Sequence, residues 1–338
     1  MNENVIRTRN LLNQWGRDRE PFLLLADFEL EQVEAWRICD IDPDIIRFEF
    51  NAQTSTPAII TSPTKTLEWS VDYPSPERYH KAFSVAQNGL KRGDSFLLNL
   101  TFPTKVQTNW SLHDIYEHTA ARYKIWWKDQ FVVFSPEIFV QIRDGKIFSH
   151  PMKGTLPGHL PVSMLLNDPK EKAEHATIVD LIRNDLSQVA QKVRVDKYRY
   201  VEQIPTATGG LWQTSSEISG ELAADFHKNL GDLIFRLLPA GSVSGAPKAK
   251  TIEIIADAEG QKRGYYTGIA AYWNGYELDS CVLIRFLEKD TNDLRYWSGG
   301  GITAYSDQGE EYKELKEKVY LPVSTAIHTP FAVAETIE

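Results

Sequence analysis

Cysteine is nearly absent: the 338 residues carry two, Cys39 and Cys281. Two cannot build a disulfide framework or a Cys-based zinc site within one chain. Such sparse use fits a reducing, cytoplasmic setting. Long apolar runs are missing too. The longest near the N-terminus is Phe22–Ala26, against the roughly 20 residues needed to span a bilayer. No basic stretch followed by an apolar segment and a small-residue cleavage site opens the chain, so no secretory signal is expected. Positive charge is in the minority, with 37 Lys and Arg against 46 Asp and Glu and a net charge of −9. That balance argues against a binder of nucleic acid or anionic membrane. Low-complexity segments and internal repeats are also lacking. What remains is 42% hydrophobic and 25% charged, an ordinary soluble globular composition. At a prior of about 150 residues per domain, the length allows two ordinary domains or one large one.

The early part of the chain reads as short strands at Phe22–Ala26, Ile46–Phe50 and Ala58–Thr61. Ser75-Pro76-Glu77 has the form of a helix start, serine as N-cap and proline at the first helical position. Tyr79, Ala82, Phe83, Ala86 and Leu90 follow at helical spacing. Phe96–Phe102 is an apolar-rich strand. Asp144-Gly145 and Asn274-Gly275 each separate two short apolar runs, the pattern of hairpins with type I′ turns. A third hairpin is expected from Cys281–Glu288 and Leu294–Trp297. Helices are expected near Lys170–Val189, Pro247–Ala258 and Gly309–Thr325. Hairpins mixed with separate helices give an α+β class, not a doubly wound parallel sheet. The one visible boundary falls at residue 72, leaving a short N-terminal segment (1–72) to pack on a core (73–330).

Four constellations could carry chemistry. Glu311, Glu314 and Lys318 share one helix face. They suit a solvated, ion-paired surface or, following Ser298-Gly299-Gly300-Gly301, a ligand site approached closely by backbone. A second helix offers Glu174-His175 ahead of an amphipathic run in which Asp180, Arg183 and Asp185 are expected to form a half-buried ion network. Glutamates from two helices suit a hard cation such as Mg²⁺; His175 reads as a polar helix residue. Third, Pro151-Met152-Lys153-Gly154-Thr155 puts a lysine at a strand end, with Ser135-Pro136-Glu137 on the strand leading into the same hairpin. A carboxylic acid near a lysine is an acid/nucleophile pair, though surface lysines are common. Fourth, Gly241–Lys248 runs into a helix but fails P-loop spacing. It reads equally as an N-cap or as a carboxylate site at a helix start.

Taken together and in order, these motifs resemble the chorismate-utilising enzymes, which include anthranilate synthase component I, aminodeoxychorismate synthase component I, isochorismate synthase and salicylate synthase. The resemblance covers about residues 75–325. It implies a large layered α/β sandwich, antiparallel sheets flanked by helices, with chorismate and Mg²⁺ in a deep cleft. Glu174 and Glu314 match the family's metal-binding glutamates, with Glu311 close by. Arg285 and Tyr266 match positions that hold a substrate carboxylate. Thr155, Gly245, the Gly299, Gly300 and Gly301 amides and Lys318 look like further substrate contacts.

Lys153 discriminates among members. Aminodeoxychorismate synthases carry lysine there, acting as a nucleophile at C2 of chorismate, and Glu137 matches the acid that protonates the leaving C4 hydroxyl. Anthranilate synthases usually carry alanine. Isochorismate and salicylate synthases use a lysine base near the first core strand, where this chain has Leu97. Gln203 stands where relatives often carry histidine, and would contact the C4 hydroxyl if any residue does. Neither cysteine looks like a glutaminase nucleophile, so the resemblance also implies a separate glutamine amidotransferase subunit as ammonia donor.

Overall fold

The run Phe22–Ala26 is a strand covered on both sides. All five residues are buried. Leu23 and Leu25 enter one apolar cluster, whereas Phe22, Leu24 and Ala26 enter another. A half-exposed strand alternates; a continuous apolar run needs two dry faces. Phe131–Ser135 repeats the pattern, with Phe131 and Val133 facing one cluster and Val132 and Phe134 the other. The structure, a computed structural model, describes residues 3–51, 53–54, 65–204, 210–291 and 293–323; the expected strand at 58–61 lies outside them.

Among the described residues two nine-stranded antiparallel sheets stack face to face, eight strands of each in one continuous order and the ninth beside it, Gln191–Ile204 on Leu211–Glu221 in the first and Trp69–Asp72 on Leu97–Thr108 in the second. The first runs from Met152–Pro157 through Leu211–Glu221, Lys146–Ser149, Ile138–Arg143, Leu278–Val282, Ile269–Trp273 and Phe22–Ala26 to Val33–Arg37. The second runs from Gly245–Ala246 through Leu97–Thr108, Asp293–Ile302, Phe286–Asp290, Phe131–Ser135 and Tyr123–Trp127 to Ile46–Phe50 and Gln53–Thr54. Helices Glu3–Asp18, Pro169–Ser187 and Leu230–Leu237 cover the outside of the first sheet. Pro76–Lys91 and Lys248–Glu259 cover the second. This is the layered α+β sandwich the sequence implies. The first 72 residues thread into both sheets: Phe22–Ala26 lies between two partners in the first, and Ile46–Phe50 pairs with Tyr123–Trp127 in the second.

Local signals hold where they were strong. Ser75 caps its helix, accepting from the Arg78 amide at 3.3 Å, with Pro76 next. Asp144 and Gly145 take φ of 50° and 70°, as a type I′ turn requires. At Asn274-Gly275 only the glycine is left-handed, so that turn is not type I′. Helix Glu3–Asp18 was not anticipated. Its buried stripe is Val5, Thr8, Leu12 and Gly16, and two of the four do not read as apolar.

One expected element is two. Cys281–Glu288 is not a single strand: Leu278–Val282 belongs to the first sheet, Phe286–Asp290 to the second, and Arg285 between them turns the chain with φ 54°. The chain also passes from the second sheet to the first between Phe131–Ser135 and Ile138–Arg143, at Pro136-Glu137. The two crossings are joined. The Val282 amide donates to the Glu137 carbonyl at 3.1 Å, and the Ser135 hydroxyl donates to the Val282 carbonyl at 2.7 Å.

Candidate active site

These crossings set Glu137 and Arg285 on the wall of one cavity of about 170 Å³, which Lys153, Glu174, Tyr266 and Lys318 also line. Glu137 is tucked in, and the Ser242 hydroxyl donates to its Oε1 at 2.5 Å. Burial raises its carboxyl above the usual range, against the opposing pull of Ser242, Lys318 and Arg285. A carboxyl with a raised pKa suits a general acid near neutral pH. Arg285 lies over the Tyr320 ring at 5.2 Å. Among the described residues its one side-chain hydrogen bond goes to Tyr320 Oη, at 3.4 Å. Its remaining donors are therefore available to a carboxylate, which a guanidinium grips with two parallel bonds. Tyr266 is buried and stacked on Trp297, centroids 5.3 Å apart.

Lys153 stands on Met152–Pro157 and meets Glu174 Oε2 at 2.8 Å. Burial pulls its ammonium down, but Glu174, with Glu314 and Glu171, outweighs that and the net shift is upward. Glu174 comes from Pro169–Ser187, a helix capped by Asp168. His175 beside it is fully buried against Ser216 Oγ at 2.6 Å, and burial lowers its pKa to about 4. It is a neutral core residue.

Glu311 and Glu314 converge over Gly300, whose missing Cβ would lie 3.4 and 3.3 Å from their oxygens. Lys318 bonds both Glu314, at 2.6 Å, and the Gly299 carbonyl, at 2.8 Å. The helix carrying these glutamates ends at Glu317, not near 325, and Lys318 caps it. The glycines are the last turnless part of the Asp293–Ile302 strand, paired with Thr101, Leu100 and Asn99. Oxygen donors gathered on one glycine surface, with Glu174 on the Lys153 side, have the chemistry of a hard-cation site. Lys153, Lys318 and, 3.9 Å from Glu174, Lys170 supply the positive charge here. Among the described residues no three His, Cys, Asp or Glu side chains close into a metal-binding cluster.

Several expected residues lie elsewhere. Thr155 is exposed and absent from the cavity wall. A bulge between Met152 and Thr155, with Gly154 at φ 83°, breaks the alternation that would have placed it beside Lys153. Gly245 is a packing residue: at φ 142° it sits so close to the Leu97 carbonyl that a Cβ would fall 1.9 Å from it. Gln203 is exposed on Gln191–Ile204, opposite Trp212, and does not reach the cavity. The expected three-residue ion network is split. Asp180 and Arg183 form an exposed pair at 3.2 Å, while Asp185 turns inward to Lys248 at 3.0 Å. Conversely, Ser242 and Asn99 line the cavity without having been singled out. Ser242 lay inside a flagged motif; its partner Glu137 lies 105 positions away.

A family model described as chorismate binding enzyme matches residues 30–323. The chain belongs to the chorismate-binding enzyme family. An uncharacterized PabA-like protein of Haemophilus influenzae is 46% identical to this chorismate-binding enzyme over 318 residues, 93% of this chain and 96% of that protein. The aminodeoxychorismate synthase component 1 of Klebsiella aerogenes is 33% identical over 313 residues, 88% of this chain and 67% of that one. Among solved structures, anthranilate synthase component I from Streptococcus pneumoniae superposes with a TM-score of 0.62 at 26% identity, over 75% of this chain and 59% of that one. The menaquinone-specific isochorismate synthase of Escherichia coli has the same fold, with a TM-score of 0.69 at 18% identity over 93% and 80%. No helix among the described residues is long and apolar enough to cross a membrane.

Proposed function

We propose that this chorismate-binding enzyme aminates chorismate at C4, giving 4-amino-4-deoxychorismate, as an aminodeoxychorismate synthase component I acting in the cytoplasm. The observation that carries the reading is the shared cavity of Lys153 and Glu137 with Arg285 free to hold a carboxylate. Lys153 first gives a proton to its ion-pair partner Glu174, 2.8 Å away; the amine so freed forms a bond to C2 while the C4–O bond breaks, and Glu137 gives its proton to the departing oxygen, which leaves as water. Ammonia then bonds to C4, the C2–Nζ bond breaks, and Glu137 recovers a proton from the new amine. Two displacements divide one hard substitution into two easier ones and place nitrogen at C4. Leu97, in the same wall, cannot take a proton, which disfavours addition of activated water. The test is to incubate the purified chain with chorismate, Mg²⁺ and an ammonium salt and to identify the product by mass spectrometry and fluorescence. Anthranilate would replace this reading with C2 amination; tight chorismate binding without turnover would replace it with a binding subunit.

Glu174, Glu311 and Glu314 are the residues that would hold Mg²⁺. Bound there, the ion would supply positive charge to a substrate carboxylate. Glu174→Ala or Glu314→Ala is expected to cut turnover sharply without loss of fold, and EDTA to mimic it. Full turnover in EDTA, with the metal content checked, removes the cation from the proposal. Arg285→Lys keeps the charge but loses the fork. Its Michaelis constant for chorismate is expected to rise about ten- to a hundredfold, the worth of one hydrogen bond to a charged group, roughly 1.5–3 kcal/mol. An unaltered constant means that Arg285 does not touch substrate.

A further inference from the structure

We infer that the buried pair Arg263–Glu259 is a positioning element that holds the Gly241–Val243 turn so that Ser242 stays on Glu137. The inference rests on the reading of Glu137 as the acid. Both side chains are sealed, at 1% and 0% exposure. Arg263 Nε and Nη2 reach the two Glu259 oxygens at 2.9 and 2.6 Å. The remaining donors go to backbone and hydroxyl groups around the cavity. Nη1 donates to the Val243 carbonyl at 2.9 Å and to Thr267 Oγ1 at 3.2 Å, and Nη2 donates to the Asn99 carbonyl at 2.6 Å. Glu259 in turn accepts from the amide and hydroxyl of Thr101, at 2.9 and 3.0 Å. Phe28 closes the site from below, its ring 4.4 Å from the guanidinium.

Three walls of the cavity thus meet at one guanidinium. Val243 follows Ser242; Asn99 lies on the strand paired with Gly301; Thr267 follows Tyr266. A buried ion pair gives little net stability compared with a packed apolar replacement. What this one supplies is direction, since a planar fork fixes several acceptors at once and an ammonium cannot. None of its bonds points into the cavity, so Arg263 acts on the reaction only through what it holds.

Glu137 is faced by Ser242, Lys318 and Arg285, and more distantly by Tyr266 and Cys281. The Ser242 hydroxyl favours the carboxylate form. Loosening the turn therefore raises the Glu137 pKa, and the high-pH limb of an acid-dependent rate moves upward with it. The experiment uses the full chain labelled with ¹³C at the glutamate carboxyls, with the Glu137 signal assigned by its loss in Glu137→Gln. Ser242→Ala is expected to raise the Glu137 titration midpoint. Arg263→Lys is expected to raise it too, and the double variant to go no further than Ser242→Ala alone. In Arg263→Lys, kcat is expected to fall about ten- to a hundredfold, the range for one hydrogen bond to a charged group, with a smaller change in KM. An unmoved Glu137 midpoint in Arg263→Lys, or shifts that add in the double variant, overturns the inference. Should Arg263→Lys not fold, Glu259→Gln, which keeps the shape of the acceptor, carries the same measurement. The titration is read without turnover. If Glu137→Gln turns chorismate over normally, the acid role fails while the coupling of Arg263 to Ser242 is still decided.

Discussion

Lys153→Ala is expected to lose nearly all amination at C4 while keeping its fold. The side chain is part of no apolar cluster and its partner Glu174 is anchored on a separate helix, so truncation leaves the sheets intact. It removes the atom that bonds to C2, and direct attack by ammonia becomes the remaining route. A small gain of C2-aminated product is expected, because C2 is no longer occupied by the enzyme. The mutant also leaves Glu174 without its 2.8 Å partner, so a test of the nucleophile alone needs a second variant. Lys153→Arg, which keeps a cation for Glu174 but has no nucleophilic amine, should lose C4 amination as the alanine variant does. Unchanged formation of 4-amino-4-deoxychorismate by either protein would sink the covalent route.

Glutamine supplied to the purified chain is expected to give no product, whereas ammonium salts at high pH, where free ammonia is present, should give it. Release of ammonia from glutamine needs an activated nucleophile, typically a thiolate beside a base. Cys281 is fully buried in mid-strand, paired with Ala270, and burial pushes its thiol well up. Cys39 is exposed in the short turn Ile38–Asp40, its thiol directed at the Asp40 carboxylate at 3.6 Å. A thiol turned to a carboxylate in a surface turn is not the cysteine–histidine pair that such a nucleophile uses. Glutamine should therefore serve only when a separate glutaminase subunit is added. Product from glutamine and the chain alone, with ammonia excluded from the reagents, would reveal a glutaminase site in this protein.

What could be read from the sequence was local. The Ser75 cap, the Asp144-Gly145 turn and the doubly buried run Phe22–Ala26 each depend on a few neighbouring residues, and each appears where expected. Lys153, Glu137, Glu174 and Arg285 do meet in one cavity, but it was the order of motifs, not any spacing rule, that pointed to them together. The failures have physical causes. Leu283–Arg285 continues an apolar stretch, and nothing in it announces a change of sheet. Thr155 lies two positions from Lys153 and would share its face but for the bulge. Ser242 finds its partner across the fold. Arg263 and Glu259 sit four apart on a helix and its exit, a spacing that in sequence looks like an ordinary exposed pair, yet both are sealed.

The central place of Phe22–Ala26 also bears on how the molecule comes to exist. Phe22 pairs with Trp273 and Ala26 with Ile269, so one of the earliest strands made must wait for one of the latest. Until then the strand has a partner along one edge, Val33–Arg37, and lacks the one along the other. Closing so long a loop costs entropy before any contact repays it, and chains dominated by distant pairings fold slowly. The Arg285 crossing lies later still in the chain. During synthesis the cavity is therefore incomplete until late: its acid and lysine precede Arg285, and Gly299, Gly300, Gly301 and Lys318, which also line it, are made after that arginine.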